Sequence, residues 1–158
     1  MVALFRNARE APRLRIVRQL PLFATLSRRE LRVVDSLLHE RRYLKGEIIF
    51  DAGEHGQALY VIVAGRVLIC RQGQPDAGRV AELDAGLVFG ELALLDNAPR
   101  AAQARAAEDC ALASLSRTDF ESLLDTHAIA ASKIALQLAR QLGRQLREQD
   151  LMSERRPL

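Results

Sequence analysis

Between Tyr43 and Ser116 no apolar run is long enough for a core helix, and this limits the fold more than any other feature of the chain. The apolar segments are Ile48–Phe50, Leu59–Val63, Val67–Cys70, Val80–Leu83, Gln103–Ala106 and Cys110–Leu115, with glycines or polar loops between them. Segments of this length, bounded by turn residues, read as strands. Several in succession with short connections specify an antiparallel sandwich or barrel. Gly65 reads as a tight reversal that makes Val67–Cys70 the hairpin partner of Leu59–Val63. Gly53 and Gly56 read as turn residues needing positive φ, with no functional part.

Helical patterns flank the strands. Leu14, Val17 and Leu20 recur at helical spacing among arginines, which predicts a short amphipathic helix ended by Pro21. Leu22 to Leu38 reads as a second helix, with Ser27 as N-cap, Glu30 completing a capping box, and Leu31, Val34 and Leu38 on the buried face. After the strands, Ser116 caps a short helix that buries Phe120, Leu123 and Leu124. A longer helix is expected over about residues 127–149. Its stripe of Ile134, Leu138, Leu142 and Leu146 requires a surface to bury against, and Gly143 marks a bend or a close contact.

The stretch from Leu87 to Ala102 carries the chemistry: Leu-Val-Phe-Gly-Glu-Leu-Ala-Leu-Leu-Asp-Asn-Ala-Pro-Arg-Ala-Ala. Gly90 has no Cβ and lets backbone approach a ligand closely. Glu91 beside it suits sugar hydroxyls. Leu92 to Leu95 is short enough for one buried turn, and Asn97, Ala98 and Pro99 mark a loop. Arg100 offers a planar fork of donors matched to a phosphate. Ala101 and Ala102 leave their N–H groups unobstructed. Such a combination describes a compact phosphosugar cradle.

Phe89-Gly90-Glu91-Leu92-Ala93-Leu94-Leu95, a short loop, then Pro99-Arg100-Ala101-Ala102 closely resembles the phosphate-binding cassette of cyclic nucleotide-binding domains. This is the family of catabolite activator protein and of protein kinase A regulatory subunits. The run Lys45-Gly46-Glu47-Ile48-Ile49-Phe50, with Gly53, Gly56, Leu59–Ile62 and Gly65, resembles the β-roll of the same family. The resemblance implies an α+β class: an antiparallel, jelly-roll-like β-roll over about 43–116, flanked by N-terminal helices and a long C-terminal lid helix. It divides the chain into a helical extension (1–20), a binding domain (21–150) and a flexible tail (151–158).

It also implies roles. Gly90 and Ala101 present N–H groups to a cyclic phosphate, Arg100 pairs its charge, and Glu91 accepts the ribose 2′-hydroxyl. Leu92, Ala93 and Ala102 line the floor. Val80 and Leu83 form apolar walls for the base. Gln141 and Gln145, four apart on one helix face, fall where catabolite activator protein contacts the base. A hydroxyl after the phosphate arginine favours cyclic GMP in this family, so Ala101 points to cyclic AMP. The alternative is a β-roll interaction module that takes a cyclic dinucleotide or a protein partner instead.

Composition excludes several other classes. All of the 23 basic residues except Lys45 and Lys133 are arginine, but acids lie among them and the net charge is only +3, which suits a solvated surface. His39, His55 and His127 are dispersed over separate segments, which argues against a metal-dependent cupin and for a ligand site without metal. No nucleophile–base motif marks an enzyme. Cys70 and Cys110 lie in separate strand-like segments and read as buried reduced thiols, so a cytoplasmic location is expected. No segment approaches a membrane span, and early charge argues against a secretory signal. About eight residues follow Asp150, too few for a recognition helix, so direct DNA binding is not expected. Output through an effector protein, or through a homodimer along the C-terminal helix, is the expected use.

Overall fold

A computed structural model of the chain describes residues 12–71 and 79–154. Helix α1, Pro12–Gln19, is the described part of the expected N-terminal helix. It packs on its own domain, burying Val17 against the core. A 3-10 turn, Pro21–Phe23, and α2, Arg28–Leu37, follow. Leu22–Leu38 is therefore not one helix. The Ser27 backbone is extended, and its hydroxyl accepts the Glu30 N–H at 3.2 Å while Glu30 Oε1 accepts the Ser27 N–H at 2.9 Å. The capping box is present, and a residue held extended at the N-cap stops the helix from reaching further back.

Eight strands come next: β1 (His39–Tyr43), β2 (Ile48–Phe50), β3 (Ala58–Ala64), β4 (Arg66–Cys70), β5 (Arg79–Asp84), β6 (Val88–Phe89), β7 (Gln103–Ala106) and β8 (Cys110–Ser116). They form two antiparallel four-stranded sheets, ordered β1-β8-β3-β6 and β2-β7-β4-β5. The α+β class and the antiparallel β-roll are thus observed. β1 was not expected, because His-Glu-Arg-Arg-Tyr has no apolar alternation; it is a strand only through its pairing with β8, from His39↔Ser114 to Tyr43↔Cys110. The hairpin expectation at Gly65 is corrected. β3 and β4 are consecutive but lie in different sheets, so Gly65 is the corner where the chain crosses between them. Its φ is +94°, and a Cβ there would lie 2.5 Å from the Asp109 carbonyl oxygen, so only glycine fits.

Both faces of β3 are buried. Leu59 and Val61 join Ala113 and Leu115 of β8 in a core shared with the helices. Ile62 joins Phe50, Val67, Phe89, Ala104 and Leu112 in the interior between the sheets. The near-continuous apolar sequence of β3 reflects this double burial.

Helices α3 (Arg117–Thr126) and α4 (Ala128–Glu154) close the chain. Helix α4 continues past the expected end at Gln149, so residues 151–154 of the expected tail are helical. Its apolar stripe divides in two. Ala131, Ile134 and Leu138 are fully buried on the domain, Leu142 is partly buried, and Leu146 is 61% exposed. At Gly143 the helix runs unbroken, and a Cβ would meet nothing within 4 Å, so there is no close contact there.

The root of α4 is also held by charge. Lys133 Nζ lies 2.6 Å from Glu30 Oε1 on α2. The Lys133 ammonium, helped by the Ser27 N–H, holds the Glu30 carboxyl at about 2, against an ordinary 4.5. A carboxyl depressed in the folded state stabilises the fold above its unfolded pKa, and that contribution is lost as pH falls toward the folded value. Chemical denaturation midpoints should therefore fall from about pH 4.5 to 2. The decline should be shallower in Lys133→Met, which leaves Glu30 with less to lose.

Candidate functional site

The stretch from β6 to β7 contains a 3-10 turn, Glu91–Leu94, and a loop ending at Arg100. Gly90 enters the turn in the left-handed region, with φ 73°. The Arg100 side chain folds inward. Its Nη1 donates to the Gly90 carbonyl at 3.0 Å, and Nη2 donates to the Ala58 carbonyl at 2.6 Å. Its Cζ lies 4.1 Å from the centre of the Phe50 ring, a cation–π contact. No carboxylate forms an ion pair with it among the described residues. Burial lowers the Arg100 pKa from its ordinary value, opposed by the fields of Tyr60, Glu54 and Glu91. Arginine does not give up its proton under these conditions, so the site holds a partly desolvated cation with neutral partners.

Arg100 faces a cavity of about 400 Å³. Of the residues singled out from the sequence, Leu83, Gly90, Glu91, Leu92, Ala93, Arg100, Ala101, Ala102 and Gln145 line it. Val80 lies on β5, with its side chain outside the described residues. Gln141 is placed differently from expectation. It is not at the cavity wall; its Nε2 donates to Glu91 Oε1 at 3.0 Å. The lid helix thus reaches the cavity through Gln145 and holds the acidic side chain through Gln141. The N–H groups of Ala101 and Ala102 have no acceptor among the described residues. Gln103 bonds to Asp51 Oδ1 at 3.0 Å.

Sequence reading missed the aromatic cluster whose Phe50 ring contacts Arg100. Phe50, Tyr60 and Phe89 form a cluster, with Tyr60 and Phe89 stacked at 5.2 Å and Phe50 at 5.9 Å from each. They come from β2, β3 and β6, far apart along the chain, so no local spacing announces them. Gly56 was also misread. Its φ is not positive; a Cβ there would sit 3.0 Å from both the Ala93 Cβ and Arg100 Nε. Gly56 is glycine because the cassette and the guanidinium press against it. His39, His55 and His127 are not gathered either, and no group of three or more His, Cys, Asp or Glu converges among the described residues.

The rolled sheets thus carry a partly buried cation at the edge of a cavity that the terminal helix reaches through Gln145. The chain belongs to the cyclic nucleotide-binding domain family, whose model matches residues 40–127. It is 38% identical over 134 residues to the cyclic AMP receptor protein of Thermus thermophilus, covering 84% of this chain and 62% of that one. A cyclic nucleotide-binding domain from Methylobacillus flagellatus superposes with a TM-score of 0.75 at 25% identity, covering 93% of this chain and 84% of that one. The regulatory domain of Toxoplasma gondii PKA, solved with cAMP, gives 0.66 at 30% identity over 75% of this chain and 45% of that one. The chain therefore spans less than two thirds of the first and third of these.

Gly90 combines a left-handed backbone with a crowded site: a Cβ there would lie 2.7 Å from Arg100 Nη1. Gly90→Ala should cost about 1–3 kcal/mol of stability in urea unfolding and push Arg100 off the Phe50 ring. An unchanged midpoint would count against the close approach.

Proposed function

We propose that this chain is a cyclic mononucleotide sensor that takes cyclic AMP in preference to cyclic GMP. Arg100 carries the reading. A partly buried guanidinium satisfied only by carbonyls and a ring is stabilised by a bound anion, because a charge-assisted pair replaces weaker neutral contacts. The cavity volume of about 400 Å³ falls within the range of small-molecule sites. Family membership and relatives named for cyclic AMP support the same ligand.

In this reading the cyclic phosphate meets Arg100 and the free N–H groups of Ala101 and Ala102. Gly90 gives the phosphate room, and Ala93 with Leu92 supports the turn. Glu91 accepts the ribose 2′-hydroxyl, Leu83 flanks the base, and Gln145 meets its edge. Ala101 brings no hydroxyl to the base, which disfavours cyclic GMP.

Binding then changes α4. A ribose hydroxyl at Glu91 competes with Gln141 for the same carboxylate. Only the part of α4 beyond Leu138 is free to respond, since Ala131, Ile134 and Leu138 are locked in the core. The shift is as large as the ligand's differential affinity for the two arrangements. The far end of α4 exposes Leu146, Leu151 and Met152, and this is where an effector protein or a second copy docks.

Calorimetric titration with cyclic AMP should show Arg100→Ala binding at least about tenfold more weakly than the natural chain. A thermal-shift panel should rank cyclic AMP above cyclic GMP. A response only to a cyclic dinucleotide, or to none of them, would instead favour the interaction-module reading. Light scattering with and without cyclic AMP tests the output surface: a mass that responds to ligand, and a Leu146→Glu variant that stays monomeric, are the expected results.

A further inference from the structure

Arg117 stands outside the cavity, in the first turn of α3, and reaches the cassette from behind. Its Nη1 donates to the carbonyl oxygens of Asp96 at 2.7 Å, Gly56 at 2.9 Å and Ala93 at 3.3 Å, and Nη2 donates to Asn97 Oδ1 at 3.3 Å. Its backbone N–H donates to the Gln57 carbonyl at 2.8 Å. The Glu121 carboxylate is exposed and distant, 3.9 Å from Nε. The guanidinium's hydrogen bonds therefore go to the cassette and to the turn before β3.

These acceptors belong to the segments that shape the ligand site. Gly56, Ala93 and Asp96 line the cavity; Arg117 does not. Gly56 and Ala93 make the tight seam in which Arg100 lies, and one guanidinium gathers the carbonyls of both. The two hydrogens of Nη1 are shared among the three carbonyls while Nη2 reaches Asn97 from the same rigid plane; a lysine has three donors, but on one mobile nitrogen that cannot span both positions.

We propose that Arg117 is a positioning residue for the ligand site: it orders the loop Ala93–Ala98 against Gly56 before ligand arrives. This rests on the cavity being the cyclic nucleotide site. A loop ordered in advance loses little freedom on binding; a loose one must be ordered by the ligand, at the expense of affinity.

The test uses the full chain with Arg117→Gln and Arg117→Lys. Amide hydrogen exchange is followed at residues 91–98 and, for reference, along β3 and β8. Cyclic AMP affinity is measured by calorimetry. In Arg117→Gln, exchange at 91–98 should rise selectively without ligand and return to the natural level at saturating cyclic AMP. Affinity should fall about tenfold, with Arg117→Lys rescuing only in part. Natural affinity in Arg117→Gln, or exchange that rises equally along β3 and β8, would overturn the proposal. If the natural chain itself binds no cyclic AMP, the functional reading fails. Exchange without ligand then still decides the clamp: a selective rise at 91–98 supports it, and an unchanged loop ends it.

Discussion

The site is built around a charge that cannot be neutralised in place. A guanidinium keeps its proton, so burying Arg100 imposes a desolvation cost on the fold. Two carbonyls and the face of Phe50 offset part of it. The surroundings follow from that demand. Gly56 and Gly90 leave out side chains that would collide with the guanidinium, and the Phe50 ring, packed against Tyr60 and Phe89, lies against it. Carbonyls and a ring hold the cation inside, and the more distant charges of Glu54 and Glu91 favour it without a direct ion pair among the described residues.

The double burial of β3 connects this site to the rest of the molecule. One face belongs to the roll interior under Arg100, and the other packs on the helices. The cassette and the helical layer therefore share one strand buried on both faces. Helix α4 is divided along its length. Its first half is fixed by Ala131, Ile134, Leu138 and the Lys133–Glu30 pair; Gln141 then bonds Glu91, Gln145 reaches the cavity, and Leu146, Leu151 and Met152 are exposed. The Gln141–Glu91 hydrogen bond and Gln145 at the cavity join this helix to the cassette.

Legibility in the sequence followed the range of the physics involved. The capping box at Ser27, the strands Ile48–Phe50 and Leu59–Val63, and the run from Phe89 to Ala102 depend on neighbours a few residues away, and they were readable. β1 was not, because its charged residues become a strand only when β8 lies beside them. The turn at Gly65 looked like a hairpin because a glycine between two apolar runs is the local signature of one; the change of sheet is invisible without the sheets. Gly56 was legible as a glycine but not as a member of the site.

What the sequence determined by itself was the alphabet of the site: an arginine, an acid, a glycine and small residues at a fixed spacing, between strands too short to be helices. These choices are local, since spacing, backbone freedom and side-chain chemistry act within a few residues. Tertiary structure decided how that alphabet is used. It brought Phe50 against Arg100 and backed that ring with Tyr60 and Phe89 from other strands, turned Gln141 onto Glu91, and set Arg117 behind the loop. Each is a contact between residues distant in the chain, and such contacts exist only once burial of the two faces of β3 has fixed where every other element lies.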